Sequence, residues 1–175
     1  MKYRNFAQNL FFANMELQEQ LKQEAINLGA CEEGISSWGD PDVGELCRKY
    51  FKYQDFCIKH NWPTIDEIKA ADQNIIRKHG IFVTGKEIAH SLKDIVVMGD
   101  AEVSVHVTCP CNVTVRHNGI AKIFVEDDVL CYVDMHDNAN IKVCYKEANA
   151  RVAVSYYGGT IENKEMVDKI YYKEK

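Results

Sequence analysis

Between residues 101 and 154 one short pattern returns six times, and it constrains the fold more than anything else in the chain. The units read Ala101-Glu102-Val103-Ser104-Val105, Cys111-Asn112-Val113-Thr114-Val115 and Ala121-Lys122-Ile123-Phe124-Val125. They continue with Val129-Leu130-Cys131-Tyr132-Val133, Ala139-Asn140-Ile141-Lys142-Val143 and Ala150-Arg151-Val152-Ala153-Val154. The six starts lie 10, 10, 8, 10 and 11 residues apart. Alternation with period two marks a strand with one buried face, and recurrence of such strands at a near-fixed interval marks a stacked architecture.

Two architectures accommodate the pattern. In a β-solenoid each unit is a strand and a turn, and like positions stack into columns. The small residue opening most units (Ala101, Cys111, Ala121, Ala139, Ala150) suits a tight inner corner, and the valines fill a narrow interior. In an antiparallel meander or sandwich the strands are joined by hairpins, for which Asn118-Gly119 is a turn signal. A meander has no reason to return a small residue at the same phase each time, so the solenoid is favoured, with two or three units per coil.

The first eighty residues are helical in character. Asn14 is an N-cap candidate for a helix with Leu17, Leu21, Ala25 and Leu28 on one stripe and Gly29 at its end. A loop is expected over 34–39, then a helix over 41–60 capped by Asp40 with Pro41 at its first position. Thr64-Ile65-Asp66-Glu67 has the form of a capping box for a third helix reaching Lys78, with Gly80 as its stop. The expected fold class is therefore α+β: a helical module over 1–80, of about three helices, packed on a repeat β domain over 81–175. Met166 to Tyr172 is a candidate closing strand or short helix.

Composition narrows the function classes. A net charge of −5 disfavours a sequence-independent grip on nucleic acid or an anionic membrane surface. No apolar run approaches a membrane span, and Leu10-Phe11-Phe12-Ala13 is too short for a signal-peptide core, which gives a cytoplasmic expectation. Seven cysteines, several at apolar positions of the pattern, read as reduced thiols used as small hydrophobes.

The residues offer little chemistry. Cys109-Pro110-Cys111 has the wrong spacing for a zinc half-site or a redox pair and reads as a turn. His106, His117 and His136 follow strand ends, and with Cys109 they form a candidate metal cluster on one edge if those turns stack. Glu126, Asp127, Asp128, Asp134 and Asp137 lack the glycines of a calcium-binding roll and read as solvated turns. No phosphate loop, dinucleotide fingerprint or nucleophile elbow occurs, so no catalytic residue is assigned. Glu102, Ser104, Asn112, Thr114, Lys122, Asn140, Lys142 and Arg151 make a solvated outer face. Phe124, Leu130 and Tyr132, joined by Tyr145, Tyr156 and Tyr157, stand out from it as a candidate interaction patch, which the helical module is one candidate to cover.

The Ala-x-Val-x-Val units resemble those of bacterial short-repeat β-solenoids such as the bactofilins, which implies end-to-end polymerisation without nucleotide. The helical half has no counterpart in that family. The segment Asp55-Phe56-Cys57-Ile58-Lys59-His60-Asn61-Trp62-Pro63 followed by such repeats also resembles proteins of gut Bacteroidota and their phages, a likeness that implies no activity. The functional expectation is a non-enzymatic structural or protein-interaction protein without cofactor, acting through self-association or a protein partner, and virion-associated if phage-encoded. The alternatives are a metal-dependent enzyme or metal-binding protein built on turn histidines, and a phage-encoded inhibitor of a host system.

Overall fold

The computed structural model describes residues 17–174, and the chain divides into a helical unit up to Ile76 and a β unit from Arg77 onward. In the first, α1 covers residues 17–27 of the described chain and stops at Gly29, whose φ of +82° only glycine adopts without strain. The Asn14 cap lies outside the described residues. The expected loop after it contains a short helix instead, α2 (Glu32–Ser36), capped by the Cys31 thiol. The single expected helix over 41–60 is two: α3 (Val43–Lys52) and α4 (Gln54–His60), broken where Tyr53 takes φ −115° and ψ 33°. Its cap is Asp42 rather than Asp40, accepting from the Glu45 N–H at 2.7 Å. The capping box forms as expected at α5 (Ile65–Ala70): Thr64 Oγ1 accepts from the Glu67 N–H, and Glu67 Oε2 accepts from the Thr64 N–H at 2.8 Å. The expected third helix is also interrupted, by an extended Ala71, so that α6 (Gln73–Lys78) is separate.

The β unit is a parallel solenoid. Its strands are β1 (Ile81–Phe82), β2 (Lys86–His90), β3 (Asp94–Val97), β4 (Glu102–Val107), β5 (Cys111–Val115) and β6 (Ile120–Val125). They are followed by β7 (Leu130–Met135), β8 (Asn140–Lys146), β9 (Arg151–Tyr156), β10 (Thr160–Glu162) and β11 (Lys169–Tyr172). Odd-numbered strands form one six-stranded sheet, sheet A, and even-numbered strands a five-stranded sheet, sheet B. Each coil is thus one strand of each sheet, two sequence units, and β11 opens a sixth coil after five complete ones. Every pairing is parallel, so the meander is excluded.

Inward side chains stack in columns. In sheet A, Ile95, Val113, Val133 and Val154 lie in register, as do Val97, Val115 and Met135. In sheet B, Ala89, Val105, Ile123 and Val143 form one column and Val103, Ala121 and Ile141 another. All are buried to 2% exposure or less. Burying a Val or Ile side chain contributes roughly 1.5–3 kcal/mol, so these columns dominate the stability of the unit.

The corners between sheet A and sheet B explain the small residues. Main-chain bonds run from Glu102 N to Gly85 O, Ile120 N to Ala101 O, Asn140 N to Gly119 O and Thr160 N to Ala139 O, stacking Gly85, Ala101, Gly119, Ala139 and Gly159 at one corner. A Cβ on Gly119 would lie 2.7 Å from the Val97 carbonyl oxygen. Asn118-Gly119 is therefore a parallel corner, with glycine needed for close approach rather than for a hairpin. The repeat phase read from the sequence is only partly structural: Ala121 pairs with Val103 inside the sheet and is not the equivalent of Ala101. Coil length varies, so equal spacing does not mean equal position.

Both ends are closed by charge. On β2 the inward Glu87 pairs with Arg77 at 3.1 Å. At the other end Asp168 accepts from the Val152 N–H at 2.7 Å and from Lys146 Nζ at 2.9 Å. The closing segment is both a strand and a helix: a 3₁₀ turn, Lys164–Met166, precedes β11, and Met166, Val167 and Ile170 pack on the core.

Candidate functional site

The two outward faces of the solenoid differ. On sheet A, the outward Val96, Thr114, Arg116 and Ser155 are buried, so Thr114 departs from its expected solvated position. On sheet B a column of rings runs along one edge of an open face. His90 and His106 stack with centroids 4.6 Å apart, and His106 and Phe124 lie 4.8 Å apart and within 6° of parallel. Tyr145 is the next residue in register with Phe124. It reaches that place because β8 carries a bulge after Val143, which adds Cys144 to the count and turns Tyr145 outward. In-register parallel pairing sets like positions about 4.8 Å apart, the spacing at which flat rings stack.

Carboxylates border this column. Glu126 Oε1 lies 2.5 Å from His106 Nδ1, and Glu147 accepts from the Tyr145 hydroxyl, whose pKa that contact raises. Across the rest of the face charges alternate in pairs: Lys86 and Lys122 on Glu102, and Lys142 on Glu162. The hydrogen bonds from Lys122 and Lys86 hold the Glu102 carboxyl below its usual range. Ile88, at 61% exposure, and Tyr145, at 46%, are the apolar groups most open on this sheet.

The residues of the expected interaction patch are distributed over four environments. Phe124 and Tyr145 belong to the sheet B column. Leu130 and Tyr132 face outward on sheet A, where the Tyr132 hydroxyl contacts Ser155 Oγ. Tyr157 follows β9 and stacks on His136 at 4.4 Å, whereas Tyr156 packs against the core and donates to the Gly159 carbonyl at 2.8 Å. His90 and Ile88 complete the sheet B surface, on β2, a strand that lies outside the six repeat units. Its alternation, with Ala89 inward between Ile88 and His90, is the signal that it carries.

The candidate metal residues fall at opposite corners. His106 and Cys109 lie at the end of β4, His117 and His136 at the corners after β5 and β7, with a strand of sheet B between the two sets. His117 and Asp137 occupy the left-handed corner position, φ 56° and 58°, and the His117 N–H donates to Asp137 Oδ2 at 3.1 Å. Burial, aided by the Arg116 charge and opposed by Asp137, lowers the pKa of both His117 and His136. Among the described residues no group of three or more His, Cys, Asp or Glu side chains is placed to hold a metal ion. All seven cysteines are free. Cys111 and Cys131 meet in the core, Sγ to Sγ 3.7 Å, where that contact and burial push the Cys131 thiol well above its usual value. Burial raises the Cys47 thiol to about 11. The contact with Cys131 lowers the Cys111 thiol against the opposing effect of burial, and Cys47, Cys111 and Cys131 are all buried.

A pocket lies wholly within the helical unit. It is an apolar pocket of about 250 Å³ whose walls include Leu21, Ile35, Trp38, Tyr50, Phe56 and Trp62. Trp38 and Trp62 approach to 6.2 Å between centroids, and Phe56 meets Trp62 edge-on at 5.8 Å. Helix breaks build it: the turn at Tyr53 between α3 and α4 lets both helices offer aromatic residues to one space.

The geometry defines a two-sided parallel β-solenoid preceded by a helical unit with its own aromatic-lined core. No protein-family model, no curated protein and no solved structure matches the chain. No helix among the described residues is long and apolar enough to cross a membrane.

Proposed function

We propose that this is a non-enzymatic protein-interaction module in which the solenoid holds the sheet B surface as a rigid docking face for a protein partner. The observation that carries the reading is the outward column His90, His106, Phe124 and Tyr145, with Ile88 exposed beside it. These rings contribute nothing to the core, which the inward columns already fill. Rings held in a stack lose little conformational freedom on binding, so contact area comes at low entropic cost. The Lys–Glu pairs around them supply the polar rim that protein interfaces carry.

The closed ends favour discrete binding over polymerisation. A filament of stacked coils needs edge strands free to pair, and inward charges such as Glu87 on β2 and the Asp168–Lys146 pair oppose that. The module then serves as an assembly component, in a cell or a virion, or as a contact inhibitor of a host system.

The test is affinity purification from the native source with three baits: the natural chain, Phe124→Lys on the docking face, and Arg151→Ala on sheet A. The expected result is a partner retained by the natural chain and Arg151→Ala and lost with Phe124→Lys, with each bait monomeric by light scattering. Retention of every partner by Phe124→Lys refutes the docking face; concentration-dependent oligomers of the natural chain refute discrete binding.

A further inference from the structure

We infer that the aromatic pocket of the helical unit is a binding site for a small arylalkanoate, a planar apolar body carrying one carboxylate. Its size sets the first limit. An apolar cavity of roughly 150 Å³ accepts benzene, so about 250 Å³ holds one aromatic ring with a short chain. Its walls set the second: Trp38, Tyr50, Phe56 and Trp62 offer ring faces and edges, for which a flat aromatic body is the matching shape.

Charge around the pocket selects the head group. Glu24 Oε2 accepts from the Trp62 indole N–H at 3.2 Å, and Lys52 is paired with Glu33 at 2.8 Å. Lys49, which also lines the pocket, is placed differently. Its ammonium donates to the Ser37 carbonyl at 2.6 Å and lies 5.8 Å from the Trp38 centroid, and among the described residues no carboxylate pairs with it. A cation half-buried against an apolar wall with only a neutral acceptor and a ring face is unmatched. A ligand carboxylate there forms a charge-assisted bond, stronger than the bond to a neutral acceptor that it adds to. A cationic ligand is disfavoured, because Lys49 and Lys52 already sit over the Trp38 and Tyr53 rings.

The chain's two tryptophans both line the pocket, so intrinsic fluorescence reports on it directly. The experiment titrates the full chain with 3-phenylpropionate and, separately, with its neutral amide. The expected result is a saturable fluorescence change with the acid, about tenfold tighter than with the amide. Lys49→Gln is expected to reduce acid affinity to that of the amide while leaving the amide unchanged. The proposal is overturned if the acid gives no saturable change at millimolar concentration, or if acid and amide bind the natural chain equally. It is also overturned if Lys49→Gln binds the acid as the natural chain does. The acid-to-amide comparison needs no variant, so a poorly folded Lys49→Gln leaves the test intact.

Discussion

Shortening Ile123 to alanine removes three carbons from the middle of the sheet B column, between Val105 on the coil before and Val143 on the coil after. All three residues are completely buried. At about 0.8 kcal/mol for each carbon group, the lost transfer free energy is about 2.4 kcal/mol. The neighbours cannot move in to fill the space, because main-chain ladders fix β4 and β8 in register on either side of β6. An unrelaxed void adds to the loss, which places Ile123→Ala near the upper part of the 2–5 kcal/mol range for such truncations, at about 4 kcal/mol. That is about a thousandfold in the folding equilibrium constant. Ile123→Val, which removes one carbon, is expected to cost about 1 kcal/mol. Ile88→Ala, on the outward side of β2 at 61% exposure, should stay within about 0.5 kcal/mol of the natural chain. Urea unfolding followed by far-ultraviolet circular dichroism measures all three, with midpoint shifts compared at constant slope. If Ile123→Ala falls within about 1 kcal/mol of Ile88→Ala, the column is not packed as described and the reasoning fails.

Two further outcomes follow from the corners. Gly119→Ala places a methyl carbon 2.7 Å from the Val97 carbonyl oxygen and 3.0 Å from that of Arg116, both main-chain atoms, and should cost about 1–3 kcal/mol by overpacking. Ala139→Gly at the same corner column should cost about 1 kcal/mol through backbone freedom and a lost buried methyl, and the same urea midpoints order the two. The second outcome concerns pH. Burial lowers the pKa of His117 and His136 below the ordinary 6.5, so the unfolded chain binds protons that the folded chain refuses. Their contribution to stability is complete above pH 6.5 and is lost as pH falls through the folded values. Thermal melts between pH 7.5 and 5 should show that decline, flattened in His136→Gln; a pH-independent melt in this window contradicts it.

The strands and their stacking were legible because alternation and recurrence are properties of residue type: Val103, Val105, Ile123 and Val125 sit inward as the pattern requires. What could not be read was the length of each coil. Glu102 pairs with Ile120, and Ile120 with Asn140, intervals of different length that the unit spacing does not reveal. The phase therefore slipped at Ala121, and with it the expectation that small residues share one role. The helical unit shows the converse. Its caps at Thr64 and Gly29 follow local chemistry and were legible. No glycine or proline marks the break at Tyr53, and the break at Ala71 precedes Asp72, whose carboxylate accepts from the Asn74 N–H at 2.9 Å and starts the next helix. The candidate patch mixed faces for the same reason as the phase slip. Alternation assigns Phe124 outward correctly, but only the bulge at Cys144 sends Tyr145 beside it, and nothing in the sequence announces a bulge.

At the first and the last coil of the described solenoid a core column ends in a charged residue. A parallel stack whose every rung adds buried area has no intrinsic limit, and each added coil extends the same columns. Termination must come from residues that make the next rung unfavourable. At the first coil the column that continues as Val103, Ala121 and Ile141 begins with Glu87, whose carboxylate would be stranded in an apolar interior if another coil covered it and Arg77 were displaced. At the last, the column of Cys111, Cys131 and Val152 meets Asp168, held by Lys146 and the Val152 N–H. Burial raises its pKa, yet those hydrogen bonds and the Lys146 and Arg151 charges outweigh burial and keep it ionised. A charged residue thus occupies a core column at each end. Of the apolar groups that remain open on the solenoid, Ile88 and Tyr145 lie along the side of the coil on sheet B, and Leu130, Tyr171 and Tyr172 lie on strands of sheet A. A partner docked on the sheet B side, as proposed, would bind without lengthening the stack.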